Sequence, residues 1–327
     1  MLGKHGEARR RLLIGVAIAL PLAAAAGGAA PAFGSSHQAS PSARMASSAV
    51  SANAKAPVGK NSYYINTLST KTAYARGLAA GKNDAKTGTG RIAILDFGGQ
   101  LSTGKGTLII GRRTHASNAQ IAAVAEQFAA GYSKGVGSNK PRLTLGVGTN
   151  NSVSVTRSLG VTWAKTVATA ASWATKHAPH TTIVGANDLE PGFGGASAAV
   201  AWAKGYSSVK GSGYLNFGSA DGCPQASASG GACDHGWTQE TLWYLSTGVR
   251  GASVTPEIYY PANAKQWALI SKYGKNRHKK PLSIPGAMDQ YPGGGNTAAQ
   301  AWSQLRAQLK ANGLSTTLNY GLEIRAE

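Results

Sequence analysis

The sequence predicts an α/β protein, a single-domain (β/α) TIM-like barrel of seven or eight parallel strands, on three observations. Short β-branched runs alternate with amphipathic stretches of about ten to fifteen residues from Arg91 onward, and strands fed by helices need crossovers, so they pair in parallel. No glycine-rich dinucleotide fingerprint follows any of these runs, which argues against a doubly wound sheet. The scarce carboxylates gather at strand ends, where a barrel builds its chemistry.

In chain order, residues 1–32 read as a signal peptide. Lys4 and Arg9, Arg10 and Arg11 precede an apolar run over residues 12–26, and Ala30-Pro31-Ala32 supplies a small-residue cleavage site. The arginines fit both a loose twin-arginine pattern and an ordinary Sec signal. The apolar run is too short to span a bilayer and no cysteine follows it. The expected protein is therefore exported, without a membrane span, and released or loosely held at a wall. Residues 33–60, rich in Ser, Ala, Pro and Gly, cannot bury enough apolar surface to offset ordering entropy and read as a disordered tether. The barrel is expected over residues 61–327.

Strands are predicted at residues 92–95, 143–147, 181–184, 214–217, 254–259, 282–284 and 318–324, with residues 107–110 or 63–65 as a source of an eighth. Pro256 cannot donate to a ladder, so a bulge or late start is expected there. Helical faces of period 3.6 run through Ile121, Val124, Ala125, Phe128 and Tyr132, opened by the capping-box spacing Ser117 to Gln120. Others are Trp163, Val167, Ala170 and Ala174; Leu242, Leu245 and Val249; Trp267 and Ile270; and Ala298, Trp302, Leu305 and Leu309. Cys223 and Cys233 lie in a Gly/Ser/Ala-rich loop, and an oxidising compartment joins them. The alternative, a metal site, needs three or four ligands, and only Asp234 and His235 stand nearby. No metal and no cofactor are expected.

The formal charge is +20, and removing residues 1–32, which hold four Lys/Arg and one Glu, leaves about +17. Such a field attracts polyanions. The bases are scattered without a basic-aromatic motif, so nucleic acid is not the expected partner. Against this background seven carboxylates fall at or just past predicted strands: Asp96, Asp188, Glu190, Asp221, Glu257, Asp289 and Glu323; only Glu126 and Glu240 are placed on helices. One barrel mouth would collect the strand-end acids in a solvent-accessible hollow, where like charges raise one another's pKa. An extended chain from Asp188 to Glu190 sends both side chains to one face with Cβ atoms about 6–7 Å apart, a spacing that suits glycosidic cleavage. The bland alternative has Asp188 capping a turn and Glu190 paired with a lysine.

The stretch "ILDFGGQ" (Asp96) followed by "IVGANDLEPGF" (Asp188, Glu190) resembles secreted glycoside-hydrolase-like barrels, the family 25 lysozymes and more distantly the family 18 chitinases. The run "LDFGGQ", "GTNNS", "NDLEPGF", "NFGSADGCP" and "PEIYY" is more similar still to a group of exported actinobacterial proteins without an assigned activity. The resemblance covers roughly residues 60–327. By the lysozyme pattern it implies Glu190 as general acid, Asp188 as its electrostatic partner and Asp96 as an orienting carboxylate. The chain departs from family 18 at Gly185-Ala186-Asn187, where further Asp residues belong, and from the lysozymes at Phe97-Gly98-Gly99.

Glu257, Asp289, Asn150 and Asn151 are candidate sugar-binding polar groups, although Asn150-Asn151-Ser152 is also ordinary turn chemistry, the reading that stands ahead. Trp237, Tyr259, Tyr260 and Tyr291 fall in expected strand-end loops, where rings can stack on sugars, while Trp163, Trp202, Trp243, Trp267 and Trp302 are read as helix packing. The leading expectation is a monomeric exported glycosidase acting on an N-acetylated wall polysaccharide, peptidoglycan or chitin-like. The alternatives are a non-catalytic wall or polyanion binder and a phosphodiesterase. The last needs paired histidines or a metal cluster at the mouth, whereas His177 and His180 precede a strand and belong to the opposite end. N-terminal sequencing of chain recovered from the medium should begin at Phe33.

Overall fold

The computed structural model describes residues 55–327 apart from Ile110, Arg112, Arg113, Ser154 and Ser212. The expected signal peptide and most of the tether lie outside the described residues. The described chain is a parallel (β/α) barrel. Strand β1 (Gly59–Tyr64) leads into α1 (Thr70–Thr87), and β2 (Arg91–Gln100) into an antiparallel excursion, β3 (Gly106–Leu108) and β4 (His115–Ser117), before α2 (Asn118–Val136). Then follow β5 (Leu143–Asn150), α3 (Arg157–His177), β6 (Thr181–Asp188), α4 (Ala196–Ser207), β7 (Tyr214–Asn216) and α5 (Gln239–Trp243), which runs on into a π turn at Tyr244–Gly248. The rest comprises β8 (Ala252–Val254), α6 (Pro261–His278), β9 (Gly286–Tyr291), α7 (Ala298–Ala311) and β10 (Tyr320–Ala326).

Eight strands line up as β8-β7-β6-β5-β2-β1-β10-β9, every pair parallel. The two ends meet just past β8. Ile258 N–H donates to Met288 O at 2.8 Å and Met288 N–H to Pro256 O at 3.0 Å, joining this segment to β9. The segment near residue 63 thus supplies the eighth strand, and β1 begins at Gly59, inside the stretch expected to be tether. Of the other candidate run, residues 107 and 108 belong to the antiparallel excursion, and Ile110 lies outside the described residues.

Two predicted strands are corrected. Residues 282–284 are irregular and the strand lies at Gly286–Tyr291 instead. Pro281 and Pro285 flank the three-residue run, remove its neighbouring donors and leave no room for a ladder. The run predicted at 254–259 stops as a strand at Val254 rather than starting late; Thr255 N–H still reaches Asn216 O at 2.9 Å, while Pro256 turns its carbonyl and its missing N–H towards β9, where only part of a ladder can form.

Alternation sorts the core into two layers. Outward residues of the strands pack against the helices with Ile121, Phe128, Trp163, Trp202, Trp267 and Leu305, as the 3.6-residue periodicity predicts. Inward residues Ile92, Ile94, Ala186, Leu215, Met288, Leu322 and Ile324 fill the barrel. Helices α1 and α2 touch backbone to backbone. A Cβ on Gly77 would stand 2.0 Å from Phe128 O and one on Gly131 2.1 Å from Tyr74 O. The capping box of α2 forms as its spacing requires, Ser117 Oγ accepting from Gln120 N.

One acid was missed on a helix. Asp84 of α1 is fully buried at the end where strands begin. It accepts from Lys60 Nζ at 2.8 Å, from Arg91 Nε and Nη2 at 2.7 Å each, and from the Tyr132 hydroxyl at 3.0 Å. Burial alone would raise its pKa, but the bonds from Arg91 and Lys60 reverse this and lower it. Removing the acid leaves two buried cations unpaired, so Asp84→Ala should cost about 3–5 kcal/mol, measurable as a drop in urea midpoint with little change in slope.

Candidate active site

The site is the inward alternation of the barrel continued one step beyond its apolar layers. After Ile92 and Ile94, β2 presents Asp96; after Val184 and Ala186, β6 presents Asp188, and Glu190 follows two residues on with the same parity. β1 ends at Tyr64, paired with Asp96 in register, and β9 contributes Gln290 beyond Met288. Glu257 lies in the segment that seals the barrel, bridged to Met288. Carboxylate oxygens of Asp188, Glu190 and Glu257 all lie within 4.8 Å of one another. No ion pair among the described residues involves Asp96, Asp188, Glu190, Glu257 or Asp289, so Glu190 is not locked to a lysine.

These five carboxylates are only 0 to 5% exposed. The open hollow expected of the mouth is therefore corrected: loops cover it. The Trp237 indole N–H donates to Gly194 O at 2.6 Å, and His235 Nδ1 bonds Pro191 O at 2.8 Å. Residues 191–195 are thus clasped to the segment that directly follows the Cys223–Cys233 disulfide. Gly192 sits directly over the acids, since a Cβ there would stand 3.4 Å from Glu190 Oε1 and 3.5 Å from Asp221 Oδ2. A cavity of about 270 Å³, lined by Pro281, Leu282, Pro285, Leu309 and Leu318, includes none of these carboxylates.

Burial pushes every mouth carboxyl upward, and for Asp188, Glu190 and Glu257 neighbouring negative charges add to it. Asp96 rises to about 6 through burial, opposed by Gly98 N–H on its Oδ1 at 3.0 Å and by the Asn150 side chain. Glu190 rises to about 7 through burial and the Asp221 charge, opposed by Ser219 N–H on its Oε2 at 2.9 Å. Asp188 moves well above the ordinary carboxylate range, through burial first and then the charges of Glu190, Glu257, Asp96 and Asp221. Glu257 does likewise, through burial and Glu190, with the Tyr259 hydroxyl opposing. The phenols of Tyr64 and Tyr259 are also pushed up by burial and by these acids; they share Gln290 Oε1 as acceptor, at 3.4 and 3.1 Å.

Several candidates take other roles. Trp237 is fully buried with its indole N–H spent on Gly194, so it packs a loop and offers no stacking face. Tyr259, at 8% exposure, turns inward to the carboxylates. Asn150 makes the turn its neighbours suggest, its Oδ1 accepting from Ser152 N–H at 3.2 Å. Asp289 alternates with the inward Met288 and Gln290, so its carboxyl lies beneath Gly294, at the cluster's edge; burial raises it to about 7. Glu323 pairs with Arg325 outside the barrel. Tyr291 is 57% exposed with the Arg325 guanidinium 5.3 Å above its ring, and Tyr260 is 53% exposed; these two are the open aromatic faces on this rim.

Sequence reasoning missed Tyr64 and Gln290, both legible as inward positions near strand ends; Asn151, read as a sugar-binding or turn residue, takes a different role. The Asn151 side chain bonds Glu190 on both sides, donating to its carbonyl at 3.2 Å and accepting from its N–H at 3.4 Å. The disulfide forms as expected. No helix among the described residues is long and apolar enough to cross a membrane. A scan against models of known protein families finds no match to this chain, and a search of curated proteins finds none either.

The raised carboxyls set the pH response. Their ordinary values are 3.8 for Asp and 4.5 for Glu, against about 6 for Asp96 and about 7 for Glu190 and Asp289 in the fold. Their contribution to stability is complete below about pH 4 and is lost as pH rises through 6 to 7. Thermal melts should therefore show Tm falling between pH 5 and 8, with a smaller fall in Glu257→Gln, which removes one of the repelling charges.

Proposed function

We propose that the carboxylate cluster cleaves a glycosidic bond in an N-acetylated polysaccharide, with Glu190 as proton donor and Asp188 as its electrostatic partner. The observation that carries this reading is the mutual approach of one oxygen each of Asp188, Glu190 and Glu257 to within 4.8 Å, at the strand C-termini and with no base paired to them among the described residues. Protonated Glu190 gives its proton to the leaving glycosidic oxygen while the substrate's acetamido oxygen attacks the anomeric carbon and the glycosidic bond breaks. Asp188 steadies the positive charge on the resulting ring. Water then attacks the anomeric carbon, returning a proton to Glu190. Asp96, held by Gly98 N–H, orients the pair through its effect on Asp188. Inverting enzymes need about 6.5–9.5 Å between carboxyls to seat a water, so this spacing supports retention. Tyr260 and Tyr291 offer rings to flanking sugars, and residues 191–195, with glycine at 192, 194 and 195, give way as the glycan enters. The net charge draws the protein to anionic wall polymers.

The burial of every carboxylate favours a second reading, a wall-binding barrel without turnover. In that case the protein sediments with walls in a salt-sensitive manner and releases no sugar.

The test is reducing-end release from peptidoglycan and chitin. Wild type should release sugar, and Glu190→Gln should lose about 10²–10⁴-fold in rate, the usual contribution of a general acid. Proton NMR of the first product should show the anomer of the substrate. Equal or absent release in both proteins defeats the glycosidase reading.

A further inference from the structure

We propose that Asp188, Glu190 and Glu257 also form a seat for one divalent cation of the hard, oxygen-preferring kind: Ca²⁺, Mg²⁺ or Mn²⁺. One oxygen of each lies within 4.8 Å of the other two. Such ions take oxygens at about 2.0–2.6 Å, so ligands on opposite sides of one ion stand about 4–5 Å apart. The donors are carboxylates from two parts of the chain, the end of β6 and the segment sealing the barrel, with no cysteine or histidine in the set. That composition selects hard cations over zinc or copper.

Proximity of acids alone would not distinguish a cation seat from a group of protonated side chains, and two further features point to a ligand. Both oxygens of Asp188 and Oε1 of Glu257 are buried without a hydrogen-bond partner, so they present free lone pairs to one another. Asp96, on a separate strand and fully buried, continues the inward face of β2 towards the same point with its Oδ2 also unpartnered. A buried anion without a partner is costly, and in a chain with 33 Lys and Arg residues no base pairs with any of these four carboxylates among the described residues. Space beside the ligand oxygens is kept by glycines. A Cβ on Gly218 would stand 2.9 Å from Asp188 Oδ1, and one on Gly192 3.4 Å from Glu190 Oε1.

Binding of the ion does not depend on the glycosidase reading. One consequence does rest on it: an ion and a glycan cannot both use Glu190, so millimolar cation slows sugar release and chelator restores it.

Chelator-treated exported protein is titrated with Mn²⁺ alone and with Ca²⁺ alone by calorimetry, without substrate. The expected result is one ion per chain with Kd below about 10⁻³ M. Binding should weaken at least tenfold in Glu257→Gln and Asp188→Asn and stay unchanged in Glu240→Gln, whose carboxylate bonds His278 on the surface. Should the buried variants fail to fold, substoichiometric Mn²⁺ added to wild type should selectively broaden the amide NMR signals of Gly192 and Gly218. No binding up to about 10⁻² M, full binding by folded Glu257→Gln and Asp188→Asn, or broadening centred elsewhere overturns the proposal. If sugar is released with Glu190 dependence but no ion binds, only the cation inference falls; if an ion binds as expected and no sugar is released, the cation inference stands and the glycosidase reading falls.

Discussion

A carboxylate taken out of water must be neutralised by a partner or keep its proton, and the two ends of this barrel meet that requirement in opposite ways. Where the strands begin, Asp84 is enclosed by Lys60, Arg91 and the Tyr132 hydroxyl, and its charge is compensated in place. Where they end, Asp96, Asp188, Glu190 and Glu257 have no basic partner among the described residues and face one another, Asp221, two phenols, the Asn150 side chain and a few N–H groups. A chain carrying a charge of +20 has no shortage of bases. The difference lies in placement: Lys60 and Arg91 sit at the starts of β1 and β2, within reach of α1, whereas the inward positions at the other end carry Tyr64, Asp96, Asp188 and Gln290.

The same end is also where the barrel is sealed and covered. β8 ends at Val254, and the chain beyond it bonds β7 through Thr255 and β9 through Pro256 and Ile258, which places Glu257 at the seam beside Met288. The cover comes from residues 191–195, held by Trp237 and His235. Those two residues follow Cys233, so the disulfide shortens the loop that carries them and limits how far the clasp can wander. Seam, cover and charge cluster thus share residues, and a change in any one is felt by the others.

Much of the fold could be read from periodicity. The inward alternation of Ile92, Ile94 and Asp96, and of Ala186 and Asp188, follows from the two-residue repeat of a strand and needs no knowledge of neighbours. The helix faces around Phe128, Trp163 and Leu305 follow equally from the 3.6-residue repeat. Errors arose where a short apolar run was equivocal. Residues 282–284 look like a strand until Pro281 and Pro285 are counted, and the true strand, Gly286–Tyr291, opens with a glycine and carries an acid in its middle. Trp237 looked like a stacking platform because its loop position was legible while its partner, the carbonyl of Gly194, lies 43 residues away in sequence.

By itself the sequence determined the alternation of strands and helices, the disulfide as the only intrachain pairing open to two cysteines, and the gathering of acids at strand ends, because each depends on local repeats or on composition. Only the tertiary structure decided which acids meet. It brought Asp188, Glu190 and Glu257 within 4.8 Å while leaving Asp289 at the edge and Glu323 outside. It also covered the mouth, added Tyr64 and Gln290 to it, and set Asn151 around the backbone of Glu190. Those outcomes depend on strand register, on the side to which a residue after the last ladder bond turns, and on contacts between loops far apart in the chain, none of which a local pattern encodes.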